Sequence, residues 1–165
     1  MRVRVAVTKD LPRVSDLAAE LVRQHHGFDP QRFMLVEPVA EGYRRFFERE
    51  LRRKGAIILV AEDDDGGAAR PSVIGYAYAT LEPRNWNDLL DAAGKLNDLF
   101  VDPAARRRGG GRALALEMLT RLRERGVPRV VLMSAWQNTD AHAFFEAIGC
   151  RRTMLEMTVE LQDSK

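Results

Sequence analysis

Val101-Asp102-Pro103-Ala104-Ala105-Arg106-Arg107-Arg108-Gly109-Gly110-Gly111-Arg112-Ala113-Leu114 joins an apolar, strand-like run, Leu96 to Val101, to an amphipathic helix. Strand, basic glycine loop and helix, in that order, build an anion site. Glycines let the backbone approach a ligand and adopt positive φ. The first N–H groups of a helix lack intrahelical partners and point outward with the positive end of the dipole. The arginines add charge, so the expected ligand is a phosphate or pyrophosphate. Two familiar phosphate loops are excluded. A P-loop needs Gly, four residues, then Gly-Lys-Ser/Thr, and nothing after Gly109 supplies that pair. A dinucleotide fingerprint needs a third spaced glycine, where this chain has Leu114. The pattern Arg/Gln-x-x-Gly-x-Gly/Ala does fit, as Arg106, Gly109 and Gly111.

Outward from the loop, strands and helices alternate as β-α-α-β-β-β-α-β-α-β. Val3, Val5 and Val7 alternate with polar or small residues, as on a half-buried strand. Leu11-Pro12 opens a helix with apolar positions Val14, Leu17, Ala18, Leu21 and Val22, ending near His25-His26-Gly27. A loop over 27–38 precedes a helix from about Val39 to Lys54. Ala56 to Ala61 and Val73 to Leu81 read as a hairpin around the acidic turn Asp63-Asp64-Asp65-Gly66-Gly67. After a loop over 83–94, Lys95 to Val101 is a strand. Ala113, Leu114, Leu116, Met118, Leu119 and Leu122 form one face of the next helix. Arg129 to Met133 reads as a strand of the sheet interior because its core is unbroken and apolar. Thr139 to Ile148 is a helix with Gly149 as its C′ residue. Leu155, Met157, Val159 and Leu161 alternate with polar residues, a final strand. The expected fold is α/β (α+β-like): one domain over 1–165, a mixed central sheet of about six strands and about four helices.

A second segment, Asn138-Thr139-Asp140-Ala141-His142-Ala143-Phe144-Phe145-Glu146-Ala147-Ile148-Gly149, sits in the expected order after the loop. Together with the Leu-Phe-Val-Asp-Pro lead-in at Leu99–Pro103, the chain resembles the GNAT family of acyl-CoA-dependent N-acyltransferases over Leu96 to Gly149. The resemblance implies a coenzyme-binding core at 95–149 and an N-terminal part, 1–94, that contributes the substrate pocket. It implies that Arg106, Arg107, Arg108, Gly109, Gly110, Gly111 and Arg112 hold the coenzyme A pyrophosphate. It further implies that the backbone of Leu99, Phe100 and Val101 pairs with the pantetheine arm, and that Asn138 contacts the same arm. Phe145 occupies the coenzyme-side position where the family often has a tyrosine that protonates the departing thiolate. Cys150 replaces the usual phenylalanine after the glycine.

The bulk composition fits this reading. At 165 residues, 45% hydrophobic and 30% charged, the chain is of one-domain size with material for a core. A net charge of +2 lacks the basic footprint of a nucleic-acid binder. A single cysteine rules out an internal disulfide. No apolar run reaches the roughly 20 residues that span a bilayer, and the N-terminal stretch Met1–Val5 is no signal peptide. The expectation is a soluble, cytoplasmic protein with no nucleic-acid or membrane partner. No metal is expected: the acidic turn lacks EF-hand spacing, and His25-His26 has no spaced partner.

Acetyl transfer from acetyl-CoA to an amine requires the coenzyme held, the carbonyl polarised, the amine neutral and the thiolate released. The resemblance assigns the carbonyl to a backbone N–H near Leu99, left unpaired where its strand parts from a neighbour. Neutralising a lysine-like amine at pH 7 costs about 4.6 kcal/mol, an α-amine only about 1. Asp98 and Glu82 are the candidate general bases. Asp98 and Leu99, adjacent on one strand, face opposite sides of the sheet. His25, His26, Glu37 and Trp86 are candidates for the substrate pocket, whose walls are expected from residues 24–37, 82–94 and the last strand. Phe145 cannot donate a proton, which keeps open a second reading, a non-catalytic acyl-CoA-binding module; Tyr43, Tyr76 and Tyr78 are the alternative acids. Pairing of the C-terminal strand across a two-fold axis would make a homodimer.

Overall fold

Along β3 (Ser72–Glu82), Gly75, Ala77 and Ala79 alternate with Tyr76 and Tyr78, and the period of two sends the two sets to opposite faces. This computed structural model describes residues 1–63 and 72–161. The alanine face, with Ile57, Leu59 and Leu96, packs on Leu114, Met118 and Leu122 of α3 (Gly110–Glu124). The tyrosine face, with Ile58, Val60 and Phe100, packs on Val14 and Leu17 of α1 (Leu11–Phe28) and Phe47 of α2 (Val39–Glu50). Small residues on one side and large ones on the other set α3 close to the sheet and α1 and α2 farther off. The closeness is enforced at Gly75, where a Cβ would stand 2.8 Å from the Phe100 carbonyl oxygen and 3.3 Å from Leu114.

The sheet runs β1-β2-β3-β4-β5 in space as in sequence. β1 (Arg2–Val5), β2 (Ala56–Asp63), β3 and β4 (Ala93–Val101) pair antiparallel, and β5 (Val130–Leu132) joins β4 in parallel. β2 carries Ile57 to Ala61 buried on both faces, as its unbroken apolar run requires. Pro12 sits in the first turn of α1, where its missing N–H costs nothing. α4 (Thr139–Ala147) is capped by Asn138, whose side chain accepts the Ala141 N–H at 3.2 Å, and Gly149 turns the chain out at φ +97°.

Several expectations are corrected. The sheet has five strands among the described residues, not six, because 155–161 keeps its alternation but pairs with nothing, and 151–161 is exposed throughout. The run Arg129–Met133 is trimmed to Val130–Leu132 and stands at the sheet edge, not in its interior. α1 continues to Phe28, so His25 and His26 occupy its last turn rather than the following loop. α2 stops at Glu50 rather than Lys54. The acidic turn lies outside the described residues except for Asp63.

Candidate functional site

The site starts from an irregularity in β4. Tyr78 pairs with Asp98 but Ala79 pairs with Leu96, so Asn97 is an extra residue on β4. Asn97 donates from Nδ2 to Thr80 Oγ1 at 3.0 Å, and Asp98 accepts from the Tyr76 hydroxyl at 3.1 Å. Two successive side chains therefore reach partners of the tyrosine face, while Leu96 before them and Leu99 after them pack with the α3 layer. On its other edge, β4 pairs with β5 from Gly94 to Leu96 and no farther. Beyond the bulge that edge parts from β5. The Asp102 N–H donates across to Ile74 on β3 at 2.8 Å, so by alternation the N–H groups of Leu99 and Val101 point to the parted edge.

The parted strand runs into the glycine loop. Asp102 accepts the Ala104 N–H at 2.8 Å and is ion-paired with Arg13, which fixes the turn through Pro103–Ala105. Arg107 (φ +63°) and Gly109 (φ +88°) are both left-handed, a backbone that folds successive N–H groups inward toward an anion. Gly109 is the N-cap of α3 and offers no side-chain cap, so the opening amides of the helix keep their donors for a ligand. A Cβ on Gly111 would meet Phe144, Val101 and Leu99 at 3.8–3.9 Å, so the loop packs against both the parted strand and α4. Arg106 donates to the Val101 carbonyl at 3.0 Å and lies over the Phe100 ring, and Arg108 pairs with Asp63 at 2.7 Å.

A cleft of about 980 Å³ opens between α1, α2, the bulged part of β4 and the β5–α4 connection. Asp98, Leu99, Asn138 and Phe145 line it, as do His25 and Glu37. Burial pushes the Asp98 carboxyl up to about 6, against the opposing effects of the Tyr76 hydroxyl and His25. Tyr43 also lines the cleft, and burial with the nearby Asp98 raises its phenol to about 12. The Ser134 hydroxyl is buried on the cleft wall with no hydrogen-bond partner among the described residues. A smaller cavity of about 320 Å³ holds Glu82, Thr80, Asn97 and Asp98, so Glu82 meets Asp98 there and not in the large cleft. Thr80 donates to Glu82 at 2.5 Å.

The structure thus brings Asp98, Leu99, Asn138, Phe145, His25 and Glu37 to one cleft. Glu37 accepts from Arg23 and from the Val39 N–H, which holds its carboxyl below the ordinary value. His25 is committed at Nδ1 to the Leu21 carbonyl and packs edge-on against Phe33. His26 bonds the Phe33 carbonyl and does not line the cleft. Trp86 is 75% exposed beside Arg84 and lies outside both cavities. Of the expected walls, 24–37 lines the cleft through Phe33, Met34 and Val36, while 82–94 and 155–161 do not; Arg45, Phe46 and Ser134 are the lining residues that sequence reasoning missed. They come from a loop and a helix face joined only by tertiary packing, so no local spacing announces them.

Comparison with known proteins agrees with this geometry. The sequence model of the acetyltransferase (GNAT) family matches residues 19–150. A 65-residue segment, 39% of the chain, is 46% identical to a mycothiol acetyltransferase of Beutenbergia cavernae and spans 22% of that protein's length. The BH1408 protein of Bacillus halodurans, as a tetramutant, has a TM-score of 0.84 at 21% identity, covering 98% of this chain and all of that one. AAC(6')-Iy, in complex with the bisubstrate analogue CoA-S-monomethyl-acetylneamine, has a TM-score of 0.76 at 17% identity, covering 98% and 97%. At these identities the structural likenesses speak for the fold.

Proposed function

The chain belongs to the acetyltransferase (GNAT) family, and we propose that it transfers the acetyl group of acetyl-CoA to a primary amine by direct attack in a ternary complex. One observation carries the reading: the bulge in β4 sets a carboxyl near neutral pKa on one face and a parted strand edge ending in an anion loop on the other. The loop from Arg106 to Arg112 takes the pyrophosphate, and the parted edge of Leu99–Val101, with the Asn138 amide, takes the pantetheine. An Arg–phosphate hydrogen bond contributes about 1.5–3 kcal/mol and a helix N-terminus about 0.3–1. A few such contacts reach the roughly −8 kcal/mol of micromolar binding.

An ammonium substrate entering the cleft gives its proton to Asp98, mostly ionised at pH 7 because its pKa is about 6. The neutral nitrogen adds to the thioester carbonyl, whose developing oxyanion the Leu99 N–H stabilises. Collapse breaks the carbon–sulfur bond and expels the coenzyme thiolate, and the nitrogen, now positively charged, releases its second proton to solvent to leave the neutral amide. Phe145 offers that sulfur no proton. Tyr43 remains protonated at neutral pH and lines the same cleft, so it is the phenol placed to supply one. Without it the thiolate leaves as the anion and takes a proton from water, at a cost on the order of 2 kcal/mol. The apolar walls from Phe33, Met34, Val36 and Phe46 suit an amine with an apolar body.

Calorimetric titration with acetyl-CoA, followed by thiol release across a panel of amines, tests the reading. Micromolar binding that weakens in Arg106→Ala, with turnover on at least one amine, supports it. Binding without thiol release on any amine would favour an acyl-CoA-binding module. Absence of binding at high protein concentration would remove both.

A further inference from the structure

The charged groups on the cleft wall are paired off, but not all in the same way. Arg45 is bound to Glu41, one turn away on α2, so that pair travels with its helix. Glu37 is held by Arg23 of α1 and by the Val39 N–H. Arg32 differs. Its partner is Glu156, 124 residues on, in the exposed segment 151–161 that forms no helix or strand. The pairing is a bidentate fork: Nε donates to one carboxylate oxygen, and Nη2 donates to the other at 2.9 Å. The guanidinium itself is placed by the body of the cleft, since it lies over the Phe33 ring at 5.1 Å from the centroid.

An exposed ion pair of this kind contributes little, because each group is well solvated when apart. Exchange of Glu156 for another carboxylate on the same fork is then close to neutral, and the balance is decided by what else the incoming molecule buries. Beside Arg32 the wall is apolar, with Phe33, Met34 and Val36, and Met34 and Val36 are 81% and 67% exposed. A ligand lying there covers surface that Glu156 leaves in water. The other end of this wall is Asp98. The Phe33 ring meets the His25 ring at 5.1 Å, and His25 is near enough to Asp98 to oppose the rise of its pKa. Arg32, Phe33, His25 and Asp98 thus form a continuous row, a cation at one end and a carboxylate at the other, with two rings between. An α-amino acid carries both charges on a single carbon and does not span two rings. Two extended residues span about 7 Å.

We propose, resting on the acetyl-transfer reading, that the acceptor is an amino carboxylate with its amine and carboxylate at opposite ends of an apolar body, as in a dipeptide with apolar side chains. The amine lies at Asp98, the apolar body on Phe33, Met34 and Val36, and the carboxylate takes the Arg32 fork in place of Glu156. Glu156 is the occupant that the chain itself supplies when no acceptor is bound.

Calorimetric titration with leucyl-leucine and with leucyl-leucinamide, in the presence of coenzyme A, reads the carboxylate without turnover. The native chain should bind the acid about tenfold tighter than the amide. In Arg32→Gln that preference should vanish. In Glu156→Gln it should widen severalfold, because the internal competitor is gone. Both substitutions fall on exposed side chains, so the fold is not at stake. Equal affinity for acid and amide, no binding of either, a preference that survives Arg32→Gln, or one that Glu156→Gln leaves unchanged would each overturn the proposal. Thiol release from acetyl-CoA is scored separately. Turnover of amines with no preference for a carboxylate would sink the substrate class and leave acetyl transfer standing. Acid-selective binding without thiol release on any amine would sink acetyl transfer and leave the Arg32 site standing.

Discussion

β3 and the segment 130–161 are both rich in apolar residues, but they are treated oppositely. Every residue of β3 from Ile74 to Thr80 is buried, and its alternating sizes set the distances of the layers above and below. From Val130 to Leu161, only Ala135 is buried. The first region obtains its burial within the chain. The second leaves apolar side chains exposed among the described residues, next to the parted edge of β4 proposed for the pantetheine. Substitutions in the first region should therefore appear as lost stability, and those around the second as lost binding or turnover.

The largest effect should come from Phe47→Ala, which empties a fully buried site between α2 and the tyrosine face. It should cost about 3–5 kcal/mol in urea unfolding. Phe145→Ala, on the coenzyme side, should cost about 1 kcal/mol or less, because Phe145 is only partly buried. Equal costs would break the contrast.

Next comes Asp98→Asn, expected to lower kcat/KM for the amine about a hundredfold while leaving the acetyl-CoA Kd unchanged. In the native enzyme, kcat/KM should fall as pH drops through about 6, where Asp98 takes up its proton. The same carboxyl makes a stability prediction. Its folded pKa is raised above the ordinary value near 4, so the stability it contributes is present below that value and is lost as pH rises through about 6. Asp98→Asn should therefore raise the Tm at pH 8 relative to the native chain and give no such gain at pH 3.5.

Smaller still, Gly109→Ala places a Cβ at φ +88°, which costs about 1–2 kcal/mol. The backbone is already left-handed there in the folded chain, so the variant should lose a few degrees of Tm, and acetyl-CoA binding should weaken by up to about tenfold where the loop relaxes out of its anion-binding shape. The smallest expected change is Phe145→Tyr, which supplies a phenol at the coenzyme side. It should speed thiol release severalfold at pH 7 and less at pH 9, where the thiolate is already the stable form.

The loop and its helix were legible because glycine and arginine spacing is a local signal. So was Asp98 as a candidate, and its opposition to Leu99 on the strand holds. The bulge itself was not read, although Leu96-Asn97-Asp98-Leu99 shows two polar residues in succession inside a strand, which breaks the period of two. Helix ends drifted by a few residues because the periodicity of α1 fades gradually into His25–Phe28. The wall at Phe33–Val36 fell within the stretch expected to line the pocket, but Phe46 and Ser134 were invisible because segments distant in sequence meet there. The apolar run around β5 was read as an interior strand and 155–161 as a paired one, but β5 stands at the sheet edge and 155–161 lies outside the sheet, because strand order is set by tertiary pairing that no local pattern reports.

Asn97 is a spacer that leaves the phase of the strand intact. Leu96 opposite Ala79 and Asp98 opposite Tyr78 already alternate between the layers, so the extra residue joins the Tyr76 side without turning either of them over. Deletion of that one residue would close β4 into a regular ladder, with Leu96, Asp98 and Leu99 on the faces they hold now. What it would remove is the Asn97–Thr80 hydrogen bond and the local bend that accompanies a bulge, just where β4 leaves β5. Loss of a single codon here would straighten the seam of the site rather than invert it.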